Sequence, residues 1–235
     1  MNPFKAFVIN QDSDRKVLAS MATLAPEQLD AGEVTIRVHY SSINYKDALA
    51  ATGAGRIIRR FPCVGGIDLA GEVVESADAR FKAGDQVIAT SFDIGVAHHG
   101  GYAEYARVPA QWVVALPEGL DLFESMALGT AGFTAALGIV RMEDNGLAPA
   151  NGPVIVTGAT GGVGGLAIDM LAQLGYHVVA LTGKAEEGDY LRMLGAAEIK
   201  LRSEIDFDST RPLEAAQWAG AVDNVGGQIL HWVLA

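Results

Sequence analysis

Cysteine is almost absent from this chain. Its 235 residues include one, Cys63, so no disulfide closes within it, no four-cysteine zinc lobe can be built, and nothing implies an oxidising compartment. Basic residues are scarce as well: 17 Lys and Arg stand against 28 Asp and Glu, a formal net charge of −11. That balance argues against a nucleic-acid or anionic-membrane partner, each of which needs a basic face. Also missing are the apolar h-region of a secretory signal, since the chain opens Met1-Asn2-Pro3-Phe4-Lys5-Ala6, and an apolar stretch long enough to span a membrane. No internal repeat or low-complexity tract is evident. What remains, with 50% apolar residues, reads as an acidic, cytoplasmic enzyme long enough for one large or two modest domains.

The first half is predicted to be β-rich. Runs at Phe4 to Ile9, Val34 to Tyr40, Leu69 to Val74, Gln86 to Ala89 and Gly101 to Val108 are separated by Gly, Asp and Pro. From Asp121 to about Met142 the character turns helical, rich in Ala and Leu. A first domain over residues 1–120 and a second over 121–235 are therefore expected.

The second domain carries the chemistry. Val154, Ile155 and Val156 form a short β-branched run after Pro153, as in a strand buried on both faces. Gly158-Ala159-Thr160-Gly161-Gly162-Val163-Gly164 follows, where glycine permits backbone approaches that a Cβ forbids, so a pyrophosphate can sit on bare N–H groups at a helix start. Leu166, Ile168, Met170, Leu171 and Leu174 supply the helix, Gly175 ends it, and Val178 to Leu181 form the next strand. Strand, glycine turn, helix and parallel strand within about 30 residues make a dinucleotide site.

The end of that second strand names the dinucleotide. An NAD site carries Asp or Glu there for the ribose 2′-hydroxyl, whereas this chain has Thr182, Gly183 and Lys184. A hydroxyl, a bare amide and an ammonium all suit a 2′-phosphate, so NADPH is the expected cofactor. The alternative is a surface Lys184 paired with Glu186 or Glu187. Arg202, after the strand-like segment Glu198 to Leu201, is a further candidate beside the adenine or the phosphate.

Several local stretches resemble a known family: Ser41-Ser42-Ile43-Asn44-Tyr45-Lys46-Asp47, Gly66-Ile67-Asp68-Leu69-Ala70-Gly71, Ala83-Gly84-Asp85-Gln86-Val87, Gly100-Gly101-Tyr102-Ala103-Glu104-Tyr105, Gly129-Thr130-Ala131-Gly132-Phe133-Thr134-Ala135 and Trp218-Ala219-Gly220-Ala221-Val222-Asp223. They are similar to the medium-chain dehydrogenase/reductase superfamily, and most to its zinc-free, quinone-oxidoreductase-like YhdH/AcuI branch, which includes NADPH-dependent acryloyl-CoA reductases. The resemblance implies an α/β fold, with a GroES-like β-rich domain ahead of a Rossmann domain whose parallel sheet is doubly wound. Zinc-dependent relatives hold metal with Cys, a His-Glu pair and a further Cys or His. Here Asn44 stands near the first position and Ile67-Asp68 replaces the pair, so no metal is expected. His98 and His99 are adjacent and are expected to be solvated or hydrogen-bonded loop residues.

By the same resemblance, Tyr45 lies beside the nicotinamide and donates a hydrogen bond or proton, with Asn44 and Asp47 positioning it; the alternative is that Tyr45 only packs. The basic cluster Arg56, Arg59 and Arg60 is a candidate for the phosphates of a CoA ester, the alternative being a solvated loop. The expected activity is hydride addition to a short enoyl-CoA such as acryloyl-CoA, ahead of a quinone or α,β-unsaturated carbonyl, and ahead of non-catalytic NADPH binding. Family members continue past Gly227 to Ala235, so a C-terminally incomplete form is expected, with a homodimer left open for the complete protein.

Overall fold

Alternation writes the first sheet. In β1 (Phe4–Gln11), Phe4, Ala6 and Val8 are buried while Lys5 is exposed, the period of a half-buried strand. β1 pairs antiparallel with β2 (Val17–Leu24), and a second sheet begins at β3 (Val34–Tyr40). After α1 (Tyr45–Thr52) come β4 (Cys63–Val64), β5 (Asp68–Ser76), β6 (Gln86–Thr90), β7 (Tyr105–Val108) and β8 (Val113–Ala115). The strand orders are β2-β1-β4 and β7-β3-β5-β6-β8. Val34, Ile36, Leu69, Val73, Val87 and Ala106 form the core of the larger sheet.

This computed structural model describes residues 1–207, 209–210 and 214–235. The chain divides into two units, Met1–Thr130 and Ala131–Ala235. The long helix α2 (Leu122–Asp144) contains non-helical backbone at Gly129. By length and composition α2 qualifies as a membrane span, although no unbroken apolar run marks it, because Gly129, Thr130, Gly132, Thr134 and Gly138 interrupt the sequence. In the first unit its Leu122 and Met126 pack with Ala70, and in the second its Ala135 and Ile139 join the core.

The second unit holds a parallel sheet of β9 (Val154–Thr157), β10 (Val178–Thr182), β11 (Glu198–Leu201) and β12 (Gly220–Val222), in the order β11-β10-β9-β12. Every residue of β9 and β10 is buried, as expected for strands covered on both faces. Val154, Val156, Val178 and Ala180 meet Ile168 and Leu171 of α3 (Gly162–Gln173) on one face. Ile155, Val179 and Leu181 meet Ile229 on the other. The short α4 (Gly188–Met193) precedes β11, and α5 (Gly227–Leu234) follows β12. The chain winds from β9 through β10 to β11, then returns to the opposite side of β9, the doubly wound arrangement.

Differences from expectation have local causes. β2 went unpredicted because it is an edge strand whose residues Ala19, Ser20, Met21 and Ala22 present no bulky inner face. The segment expected as a strand from Gly101 becomes one only at Tyr105. Before it, Gly100 and Gly101 cross other backbone so closely that a Cβ would lie 2.1 Å from the carbonyl oxygen of Gly66 or of Asp68.

A polar cluster secures the loop before that crossing. Asp30 Oδ2 accepts from Arg60 Nη2 and from the His99 N–H, each at 2.6 Å. Burial disfavours the Asp30 charge, but these donors outweigh it and hold the carboxyl below its ordinary value. His99 Nδ1 accepts the Val64 N–H at 3.0 Å, which requires a neutral ring. Burial moves His99 below its ordinary 6.5, against the pull of Asp30 and with the push of Arg60 and His98. The unfolded chain therefore binds the His99 proton more readily, and stability present above pH 6.5 is lost as pH falls through the folded value. Urea unfolding from pH 7 to 5 is expected to show this loss, with a shallower slope in His99→Gln; equal slopes would remove His99 as its source.

Candidate active site

In the second unit, Gly158 has φ +58° and leads from β9 into a turn whose outer residues Gly161 and Gly162 are exposed. A Cβ on Gly164 would lie 2.4 Å from the Gly158 carbonyl oxygen, so the helix can start this close to the strand only with glycine there. The N–H groups of Gly162, Val163 and Gly164 open α3 and have no acceptor within the helix. With Thr160 half-exposed beside them, they form a backbone cradle suited to a pyrophosphate.

The neighbouring strand ends are cationic. Thr182 pairs with Leu201 across β10 and β11, so Thr182-Gly183-Lys184 and Arg202 leave adjacent strands at the same edge. Thr182 is buried and its hydroxyl accepts the Lys184 N–H at 3.0 Å. Lys184 and Arg202 are exposed, and neither enters a salt bridge among the described residues. Glu186 and Glu187 are thus not ion-pair partners of Lys184 there. The residues present fit a dinucleotide carrying a 2′-phosphate.

In the first unit, the segment Ser41 to Asp47 ends in the first turn of α1. Asp47 is buried and clamps it: Oδ2 accepts the Asn44 N–H at 2.8 Å and Oδ1 accepts the Ile67 N–H at 3.0 Å. The first bond is half of a capping box. The Tyr102 hydroxyl donates to the Ser42 carbonyl at 3.0 Å. Burial, then the nearby Asp47 and Asp68 carboxylates, raise the Tyr102 pKa above its ordinary value, so Tyr102 stays a hydrogen-bond donor.

A second carboxylate organises the segment, and the sequence noted it only as a replacement for a metal-binding pair. Asp68 is fully buried at the start of β5. It accepts from Ser42 Oγ, from Asn44 Nδ2 at 2.9 Å, and from both the N–H and the hydroxyl of Thr130. Gly129 makes room: a Cβ there would sit 3.0 Å from Asp68 Oδ2, and its φ of +49° breaks α2. Asn44 Nδ2 also donates to Ser42 Oγ at 2.9 Å, so both its hydrogens are engaged. Tyr45, 80% exposed, is left as the hydroxyl of this segment that faces solvent.

The remaining candidates separate. Arg60 is held by Asp30 at 2.6 Å and Arg59 reaches Asp93 at 3.4 Å, while Arg56 is exposed. His98 Nε2 lies 2.7 Å from the Arg107 carbonyl and His99 is bound as described above, so both rings serve the loop. Among the described residues no three His, Cys, Asp or Glu side chains form a group able to hold a metal.

Comparison with known proteins agrees with this layout. The alcohol dehydrogenase GroES-like domain family matches residues 30–118. The acrylyl-CoA reductase AcuI of Ruegeria pomeroyi is 50% identical over 232 residues, 98% of this chain and 70% of that protein. The crystal structure of the YhdH oxidoreductase of Salmonella enterica in complex with NADP superposes with a TM-score of 0.92 at 50% identity, covering 96% of this chain and 69% of that one. For the Bacillus subtilis protein YhfP with NAD bound, the TM-score is 0.95 at 49% identity, covering 100% of this chain and 71% of that one. A GroES-like β domain followed by a Rossmann sheet, together with half-identical relatives along nearly the whole chain, means that the chain belongs to the medium-chain dehydrogenase/reductase superfamily, in the branch of AcuI, YhdH and YhfP.

Proposed function

We propose that the chain is an NADPH-dependent, zinc-independent reductase of an activated double bond, with a short enoyl-CoA such as acryloyl-CoA as substrate and the cytoplasm as its place of action. The observation that carries this reading is the glycine cradle at the end of β9, set beside strand ends that bear Lys184 and Arg202 in place of a carboxylate. The half-identical AcuI supplies the substrate class. On this reading residues 1–120 act on substrate and 121–235 hold the cofactor.

When bound, the dinucleotide supplies a hydride to the β carbon of the substrate. As the double-bond electrons move onto the thioester oxygen, the Tyr45 hydroxyl donates a hydrogen bond to it, and a proton adds at the α carbon to complete the saturated thioester. Asn44 and Asp47 hold Tyr45 in place through the start of α1. Asp68, its oxygens taken up by Ser42, Asn44 and Thr130, fixes that start and is not available as a metal ligand. Because Arg59 and Arg60 are paired with Asp93 and Asp30, phosphate recognition on the substrate side rests least on Arg60. That pairing favours, as a second reading, a quinone or simple enone, which needs no phosphate contact.

Oxidation of NADPH with acryloyl-CoA, with a simple quinone and with neither is the direct test; consumption with the quinone alone would reverse the order of the two readings, and binding without consumption on either would leave only an NADPH-binding protein. Tyr45→Phe is expected to lower kcat about 10- to 100-fold with KM for NADPH unchanged, in the range of a lost oxyanion donor or general acid; wild-type turnover would exclude that role. Lys184→Glu is expected to raise KM for NADPH about 10- to 100-fold, since a charge-assisted hydrogen bond contributes about 1.5–3 kcal/mol, and to leave KM for NADH nearly unchanged. Equal effects on the two cofactors would count against a 2′-phosphate contact.

A further inference from the structure

The loop after β12, Asp223-Asn224-Val225-Gly226-Gly227, is tied to the end of β9 more closely than sheet pairing requires. The β9–β12 ladder stops at Val156 and Val222. Beyond it, the fully buried Thr157 donates its hydroxyl proton to Asp223 Oδ1 at 2.5 Å and accepts the Asn224 N–H at 3.0 Å. Asn224 Nδ2 donates to the Thr157 carbonyl at 2.9 Å. The same Asp223 carboxylate curls its own loop, accepting the Gly226 N–H at 2.9 Å and the Val225 N–H at 3.4 Å. Val225, half-exposed, then lies over the glycine turn, its Cγ2 3.2 Å from where a Gly158 Cβ would sit.

The position of this knot gives it a role. In a doubly wound sheet a ligand lies outside the carboxyl ends of the strands, at the point where the winding reverses, which here is between β9 and β12. Lys184 and Arg202 mark the ends of β10 and β11 as the side of the adenosine 2′-phosphate. The other half of the dinucleotide therefore runs toward β12, where Asp223–Gly227 is the loop that leaves the sheet. A bare carboxylate there would repel a pyrophosphate, but the Asp223 oxygens are occupied by Thr157, Val225 and Gly226. We propose that Asp223, through Thr157 and Asn224, is a positioning residue that fixes this loop, and Val225 with it, as the wall for the nicotinamide half of the cofactor. The proposal rests on the NADPH reading above.

Its test uses the whole chain and two probes in calorimetric titrations: NADPH, and adenosine 2′,5′-bisphosphate, which carries only the adenosine half. In Asp223→Ala and Asn224→Ala, Kd for NADPH is expected to rise by about tenfold or more while Kd for the bisphosphate stays within about twofold. Asp223→Asn, which keeps one acceptor oxygen, is expected to fall between. Unchanged NADPH affinity would overturn the proposal, and so would parallel weakening of both probes, because the loop would then support the unit as a whole. If the unaltered chain binds neither probe, the cofactor reading fails first; if it binds both and the variants match it, only the role of Asp223 fails.

Discussion

A carboxylate buried without partners is among the most costly things a fold can contain, and Asp68 is one that has been supplied with donors from two distant segments. Ser42 and Asn44 reach it from one side and Thr130 from the other. Much of the local architecture follows. The helix at Leu122–Asp144 must break at Gly129 to bring the Thr130 N–H and hydroxyl within reach, and only a residue without Cβ leaves space for the carboxylate. Asn44, held through both its amide hydrogens, fixes the start of α1, which turns Tyr45 outward. The outward placement of Tyr45 is thus set by a group that never meets solvent.

The second unit works by a different economy, in which backbone replaces side chains. Parallel strands bring all their carboxyl ends to one edge, and glycine keeps that edge free of atoms that would hold a ligand away. The cradle is generic; on the proposed reading its selectivity comes from the few side chains at its margins, Lys184 and Arg202 toward one end and Val225 toward the other.

Where the chemistry was written in neighbouring residues, the sequence could be followed closely. Val34 to Tyr40 and Glu198 to Leu201 have the bounds expected of them, and the strand, glycine turn and helix after Pro153 stand where the apolar runs put them, because each is a short run bounded by turn residues. β2 escaped because an edge strand needs no strong inner face. The start of α1 lies outside the helices expected from the sequence, although Asn44 and Asp47 have the spacing of a capping box. Asp68 as an organiser was beyond reach: its partners lie 26, 24 and 62 positions away, and no local pattern encodes such convergence. The same holds for Arg60, whose charge is spent on Asp30 thirty positions earlier. Clustered arginines in sequence do not reveal which of them the fold has already used.

The solitary cysteine ends up with a use that has nothing to do with bridges or metals. Cys63 is fully buried in β4, and burial pushes its thiol up to about 12. Burial thus disfavours the thiolate, the form that alkylating agents and peroxides attack. While Cys63 stays buried its sulfur is shielded from reagents, and reaction at it requires a local opening of the chain around β4. A chain with a single such thiol carries its own clock for local unfolding, read by the rate at which a thiol reagent is consumed.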